Sequence, residues 1–116
     1  MESIYAEYLW AARASILRVS GHVNWTTSPD LKSGIDRCLA DHPARLIIDL
    51  NDVLRIDSSG VGALVGGLQQ ANRNHVKFTL CGLSPVLRAL LRRTCLDKVF
   101  EIRQTVKDAL QIPAPQ

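Results

Sequence analysis

Apolar residues recur along this chain with a period of two in some stretches and near 3.6 in others, and the two kinds of stretch alternate. Residues 4–10 alternate loosely, as a half-buried or edge strand does, and residues 15–20 repeat the pattern before Gly21 closes it. With residues 11–14 as the turn, these segments predict a hairpin. Ser28, Pro29 and Asp30 read as a helix start: Ser28 as cap, proline at the first helical position, an acid at the positive helix end. Leu31, Ile35, Cys38 and Leu39 then repeat at helical spacing until Asp41, His42 and Pro43 stop the helix.

Residues 45–50 form a nearly continuous apolar run, the pattern of a strand buried on both faces. A polar turn over 51–57 leads to Ser58, Ser59 and Gly60, and Val61, Leu64, Val65 and Leu68 mark one face of a second helix reaching about residue 74. Residues 76–81 alternate as a strand. Ser84 and Pro85 repeat the cap-then-proline signal and open a third helix through Leu87, Leu90 and Leu91. A short strand over 99–102 and a final helix over 105–110 complete the order β-β-α-β-α-β-α-β-α. That order predicts an α/β fold: a mixed, mostly parallel sheet with an N-terminal antiparallel hairpin and about four helices packed on it. The pattern reads as one domain over residues 1–112 with a frayed tail at 113–116.

Composition narrows the function classes. With 47% hydrophobic residues the chain can bury a core without metal or disulfide staples. The three cysteines, Cys38, Cys81 and Cys95, form no close pair and each falls in an apolar run, so all three are expected as small core residues in a reducing, cytoplasmic setting. The N-terminus has no signal-peptide pattern, and no run approaches the ~20 apolar residues of a membrane span. A net charge of +3 suits an acidic partner without calling for nucleic acid. His22, His42 and His75 are too dispersed to hold a metal, and Asp49, Asp52 and Asp57 read as loop and capping acids, so no metal or cofactor is expected.

In sheets of this kind functional groups gather at the carboxyl ends of strands, and the turn Asp57–Ser58–Ser59–Gly60 lies just beyond one. The plain reading of Ser58 or Ser59 is a helix cap. Two adjacent serines exceed what one cap needs, however, and Gly60, Gly62, Gly66 and Gly67 each cost ~1 kcal/mol relative to alanine inside a helix. Such glycines imply close approach by a neighbour, either the protein's own sheet or another molecule. The spacing matches no nucleophile elbow, phosphate-binding loop or dinucleotide fingerprint. An enzyme using Ser58 as nucleophile therefore has no supporting base. Arg88, Arg92 and Arg93 read as a solvated helix face.

The run Asp57–Ser58–Ser59–Gly60–Val61–Gly62, after the strand at 46–50 and before a small-residue helix, resembles the signature of the STAS family, named for sulfate transporters and anti-sigma factor antagonists. The strand ending in Gly21, the segment 81–85 and the closing helix extend the resemblance over nearly the whole chain. It implies an anti-sigma factor antagonist, not an enzyme. Its partner would be an anti-sigma factor that is also a serine kinase, Ser58 the phosphorylated residue, and a serine phosphatase the reset. A surface of His22, Asn24, Trp25, Asp57, Ser59, Gly60, Val61 and Gly62 would bind the partner. The family alternative is a STAS subunit docked constitutively in a larger assembly, such as a stressosome-like scaffold or a lipid transporter. This chain departs from the family at Gly21–His22–Val23–Asn24, where Gly-Glu-Leu-Asp is usual; Asn24 replaces an aspartate near the serine turn, and Trp25 beside it offers an aromatic anchor.

Overall fold

A computed structural model describes residues 4–11 and 13–111. One five-stranded sheet runs in the order β1 (Ile4–Ala11), β2 (Ala14–Val23), β3 (Arg45–Ile56), β4 (Lys77–Cys81) and β5 (Glu101–Arg103). β1 is antiparallel to β2, and every later neighbour is parallel. The helices α1 (Ser28–Ala40), α2 (Ser58–Arg73) and α3 (Pro85–Arg93) are the crossovers between successive parallel strands, and α4 (Val106–Leu110) follows β5. This is the mixed α/β architecture that the alternating periods predict.

Strand order equals chain order, so crossovers of one hand place α1, α2 and α3 on the same face. Alternation along each strand then divides the core. Leu17, Val19, Leu46, Ile48, Leu50, Phe78 and Leu80 join Leu31, Ile35, Leu64, Leu87 and Leu91 of those helices in the main cluster. Ile16, Ile47 and Cys81 point the other way and meet Ala109 of α4. The buried guanidinium of Arg45 donates Nη1–H to the carbonyl of Ala109, tying a cation to the last turn of α4. Gly82, which follows β4, has φ +72, and a Cβ there would lie 2.7 Å from the backbone nitrogen of Asn51.

Several boundaries move. The polar turn expected over 51–57 is strand: β3 continues to Ile56 because β2 also runs on to Val23 and offers a ladder there, Val23 opposite Ile56. Polar side chains are tolerated because this extension leaves the core; Asn51, Asp52, Leu54 and Arg55 are exposed. β5 begins two residues later than expected, after a 3₁₀ turn at Leu96–Lys98. Ser28 is not the cap of α1 but its first residue; Thr27 occupies the cap position. The expected frayed tail lies outside the described residues.

Cys95 corrects the expectation of three core thiols: it is exposed, in left-handed backbone with φ 61, whereas Cys38 and Cys81 are buried. Burial pushes the Cys38 thiol up, and burial together with the negative charge of Asp49 pushes Cys81 up to about 12. A thiol reagent at mildly alkaline pH is therefore expected to modify one cysteine quickly in the native protein and all three after unfolding. The folded pKa of Cys81 exceeds the unfolded value of about 8.5. Its contribution to stability is thus intact below about pH 8.5 and falls as pH rises toward 12. Denaturant titrations across that range should show a shallower fall in Cys81→Ala.

Candidate functional site

The site forms where the parallel strands β2 and β3 end together. The amide of Asp57 donates to the carbonyl of Val23 at 3.0 Å, which places the turn after β3 beside the turn after β2. The two segments singled out in the sequence, 22–25 and 57–62, are thereby brought to one end of the sheet.

Asp57 supplies the cap of α2. Its Oδ1 accepts from the amides of Ser59 at 2.9 Å and Gly60 at 3.1 Å, satisfying two of the helix's otherwise unpaired donors. The expectation that Ser58 or Ser59 performs this role is therefore corrected. An acid capping from position 57 frees the serine beside it: Ser58 is the first helical residue, exposed, and its hydroxyl has no hydrogen bond among the described residues. Ser59 is half-buried and faces the groove between α1 and α2. Asp57→Ala is expected to destabilise the domain by about 1 kcal/mol, measurable by urea unfolding, with Asp57→Asn retaining most of the stability.

The glycines of α2 serve two different neighbours. A Cβ on Gly60 would lie 2.5 Å from Ile56 Cγ1 and 2.7 Å from Val23 Cγ1, and one on Gly67 would lie 2.9 Å from Ile35 Cδ1. Those two admit the protein's own sheet and α1. Gly62 and Gly66 meet nothing within 4 Å. They lie one helical turn apart on the exposed face and line the groove with Ala63, opposite Pro29 and Lys32 of α1. Val61, which the resemblance put in the partner-binding surface, is buried in the main core, in keeping with its place on the apolar face of α2.

The turn after β2 is built around Asn24. Its Oδ1 accepts from the amides of Thr26 at 2.9 Å and Thr27 at 3.2 Å and from the Thr26 hydroxyl. Its own amide donates to Thr27 Oγ1 at 2.9 Å, and that hydroxyl donates to the carbonyl of His22 at 2.8 Å. The buried Thr27 thus locks the turn, and Trp25 is held outward at 75% exposure. A tryptophan so exposed is not part of the core. His22 and Asn24 are half-buried in the turn.

Two exposed residues were not singled out from the sequence. Leu54 on the β3 extension is 73% exposed and Val86 in the first turn of α3 is 79% exposed; they flank an apolar cleft lined by Val53, Ile56 and Leu90. Val86 carried a signal, since it stands out of phase with the buried Leu87 and Leu91. Leu54 was hidden inside a segment read as a turn. No group of His, Cys, Asp or Glu among the described residues could hold a metal ion. Asp49, one of the three clustered acids, instead receives the Arg18 guanidinium at 3.1 Å.

Comparison with known proteins agrees with this architecture. The sequence matches the STAS domain family over residues 8–109. It is 30% identical over 96 residues to the anti-sigma-F factor antagonist RsfB of Mycobacterium tuberculosis, covering 83% of this chain and 78% of that one. It is 31% identical over 85 residues to the anti-sigma-B factor antagonist of Listeria monocytogenes, covering 73% and 75%. The crystal structure of an anti-sigma factor antagonist from Mycobacterium paratuberculosis superposes with a TM-score of 0.84 at 30% identity, over 92% of this chain and 91% of that one. By this match over most of its length, the chain belongs to the STAS domain family.

Proposed function

We propose that the chain is an anti-sigma factor antagonist of the cytoplasm. It binds an anti-sigma factor that is also a serine kinase, releases a sigma factor by doing so, and is switched off when that kinase phosphorylates Ser58. The observation that carries this reading is the division of labour at the start of α2: Asp57 caps the helix, which leaves the Ser58 hydroxyl exposed and unengaged. Around it, Trp25, the outward Gly62 and Gly66 and the rigid turn at Asn24 make a docking surface whose shape does not depend on the serine. A phosphate adds ~1.5–2 negative charges at pH 7. At the positive end of α2 it is tolerated by the domain, but inside a packed interface it lacks a cationic partner. The switch then acts on the complex and leaves the fold intact. A serine phosphatase restores binding.

The test is incubation with ATP and candidate anti-sigma kinases, read by mass spectrometry. A phosphate-sized shift that Ser58→Ala removes is the expected result. Asn24→Asp retains the side-chain oxygen that accepts from the amides of Thr26 and Thr27, and it is expected to raise the phosphorylation rate by restoring the family's acid. Stable binding with no phosphorylation in either form would replace the switch by a constitutive role in a larger assembly.

A further inference from the structure

We propose that two copies of this chain associate through the outer edge of β1, forming one continuous ten-stranded sheet across a twofold axis. The two edges of the sheet differ sharply. β5 has three residues, and its edge is charged: Glu101 pairs with Lys77 at 3.1 Å and with Arg103 at 3.4 Å. Short, charged edge strands resist further pairing. β1 has eight residues, no proline or lysine, and a single charge, Glu7. Its consecutive Tyr8, Leu9 and Trp10 are all exposed, Trp10 at 56%. Among the described residues its backbone hydrogen-bonds only to β2, so the outer row of donors and acceptors is open.

The residue pattern favours a second copy as occupant. Side chains directly opposite in an antiparallel pair share a face, so a twofold normal to the sheet matches residues of like parity. With Tyr8 on the axis, Tyr8 meets Tyr8 of the second copy, and each Trp10 lies over an Ala6, large against small at both symmetric positions. Each Glu7 then faces a Leu9, and the two like charges are not opposed; each Glu7 also has Arg18 at 3.8 Å within its own chain. Tyr8 and Trp10 occupy the α1 side, where Arg37 of α1 already stacks on the Tyr8 ring at 4.3 Å. Trp10 pairs with Ser15 on β2, whereas Ile4 pairs with Gly21. The proposed contact therefore lies toward the end of the sheet remote from Ser58, leaving both serine faces open.

Sedimentation equilibrium of the full chain tests the proposal, with hydrogen exchange of the β1 amides alongside. The expected result is a species of twice the 12.8 kDa chain mass, β1 amides that gain protection with concentration, and a dimer dissociation constant raised at least about tenfold in Trp10→Lys. Trp25→Phe leaves Trp10 as the only tryptophan, so its emission should shift to the blue as the protein is concentrated; this readout does not depend on Trp10→Lys folding. A monomer at NMR concentrations with unchanged Trp10 emission would overturn the proposal. So would a dimer that Trp10→Lys leaves equally tight, or one whose β1 amides gain no protection.

Discussion

Aspartate at position 58 is expected to leave the domain folded, or slightly more stable, while weakening its hold on an anti-sigma partner about a hundredfold. The two effects have opposite signs because they act on different neighbours. Within the chain, position 58 is the first residue of α2, where a negative charge gains ~0.3–1 kcal/mol from the helix dipole. In the proposed complex the same charge would be buried against a surface that packs on a neutral hydroxyl. A phosphate carrying ~1.5–2 charges would cost ~3–5 kcal/mol there, about a thousandfold in affinity, and a single carboxylate somewhat less. Thermal unfolding and calorimetric titration of Ser58→Asp against the partner separate the terms. A melting temperature lowered in step with affinity would instead place the effect in the fold and count against the switch.

Gly60→Ala is expected to lower stability by about 2 kcal/mol, near an 8 °C fall in melting temperature. The added methyl would sit 2.5 Å from Ile56 Cγ1 and 2.7 Å from Val23 Cγ1, both on branched side chains at the ends of paired strands, so relief requires moving α2 away from the sheet. Gly62→Ala and Gly66→Ala supply the contrast. With open space around them, each should raise stability by ~0.5–1 kcal/mol through helix propensity and a less disordered unfolded state. If that face docks a partner, the same two changes weaken binding by obstructing close approach. Urea unfolding and partner titration of the three variants give a pattern that no uniform effect of glycine replacement would reproduce.

How far the residues alone lead can be seen at particular places. Leu46, Ile47 and Ile48 announced a strand buried on both faces, and both faces are covered. The helices were legible because Pro29 and Pro85 mark their starts and the apolar spacing follows. What was not legible depends on neighbours far away in sequence. Residues 51–56 read as polar turn because nothing local reveals that β2 runs alongside them to Val23. Cys95 lay in an apolar-looking stretch, but the break after α3 turns it outward in left-handed backbone. At the site, Asp57 reads as a capping acid and Ser58 or Ser59 equally as the cap, since an aspartate and a serine cap equally well; only the geometry shows that the oxygen meeting the amides of Ser59 and Gly60 is that of Asp57. Whether α2 glycines faced sheet or solvent was equally undecidable until α1 and β2 were placed against them.

The amide of Asp57, bonded to the carbonyl of Val23, has a consequence for how a kinase would use this surface. One side of that link carries Trp25 and the other carries Ser58, so the handle and the target are mounted on a common rigid frame. An enzyme that grips the tryptophan has the hydroxyl delivered at a fixed offset, with little residual searching left to do. Selectivity for this serine over its neighbour Ser59 then follows from position, without any need to read the residues around it. With Ser58 phosphorylated as proposed, the same frame would present the phosphate in place of the hydroxyl, and the next partner to arrive would meet a different surface on an unaltered body.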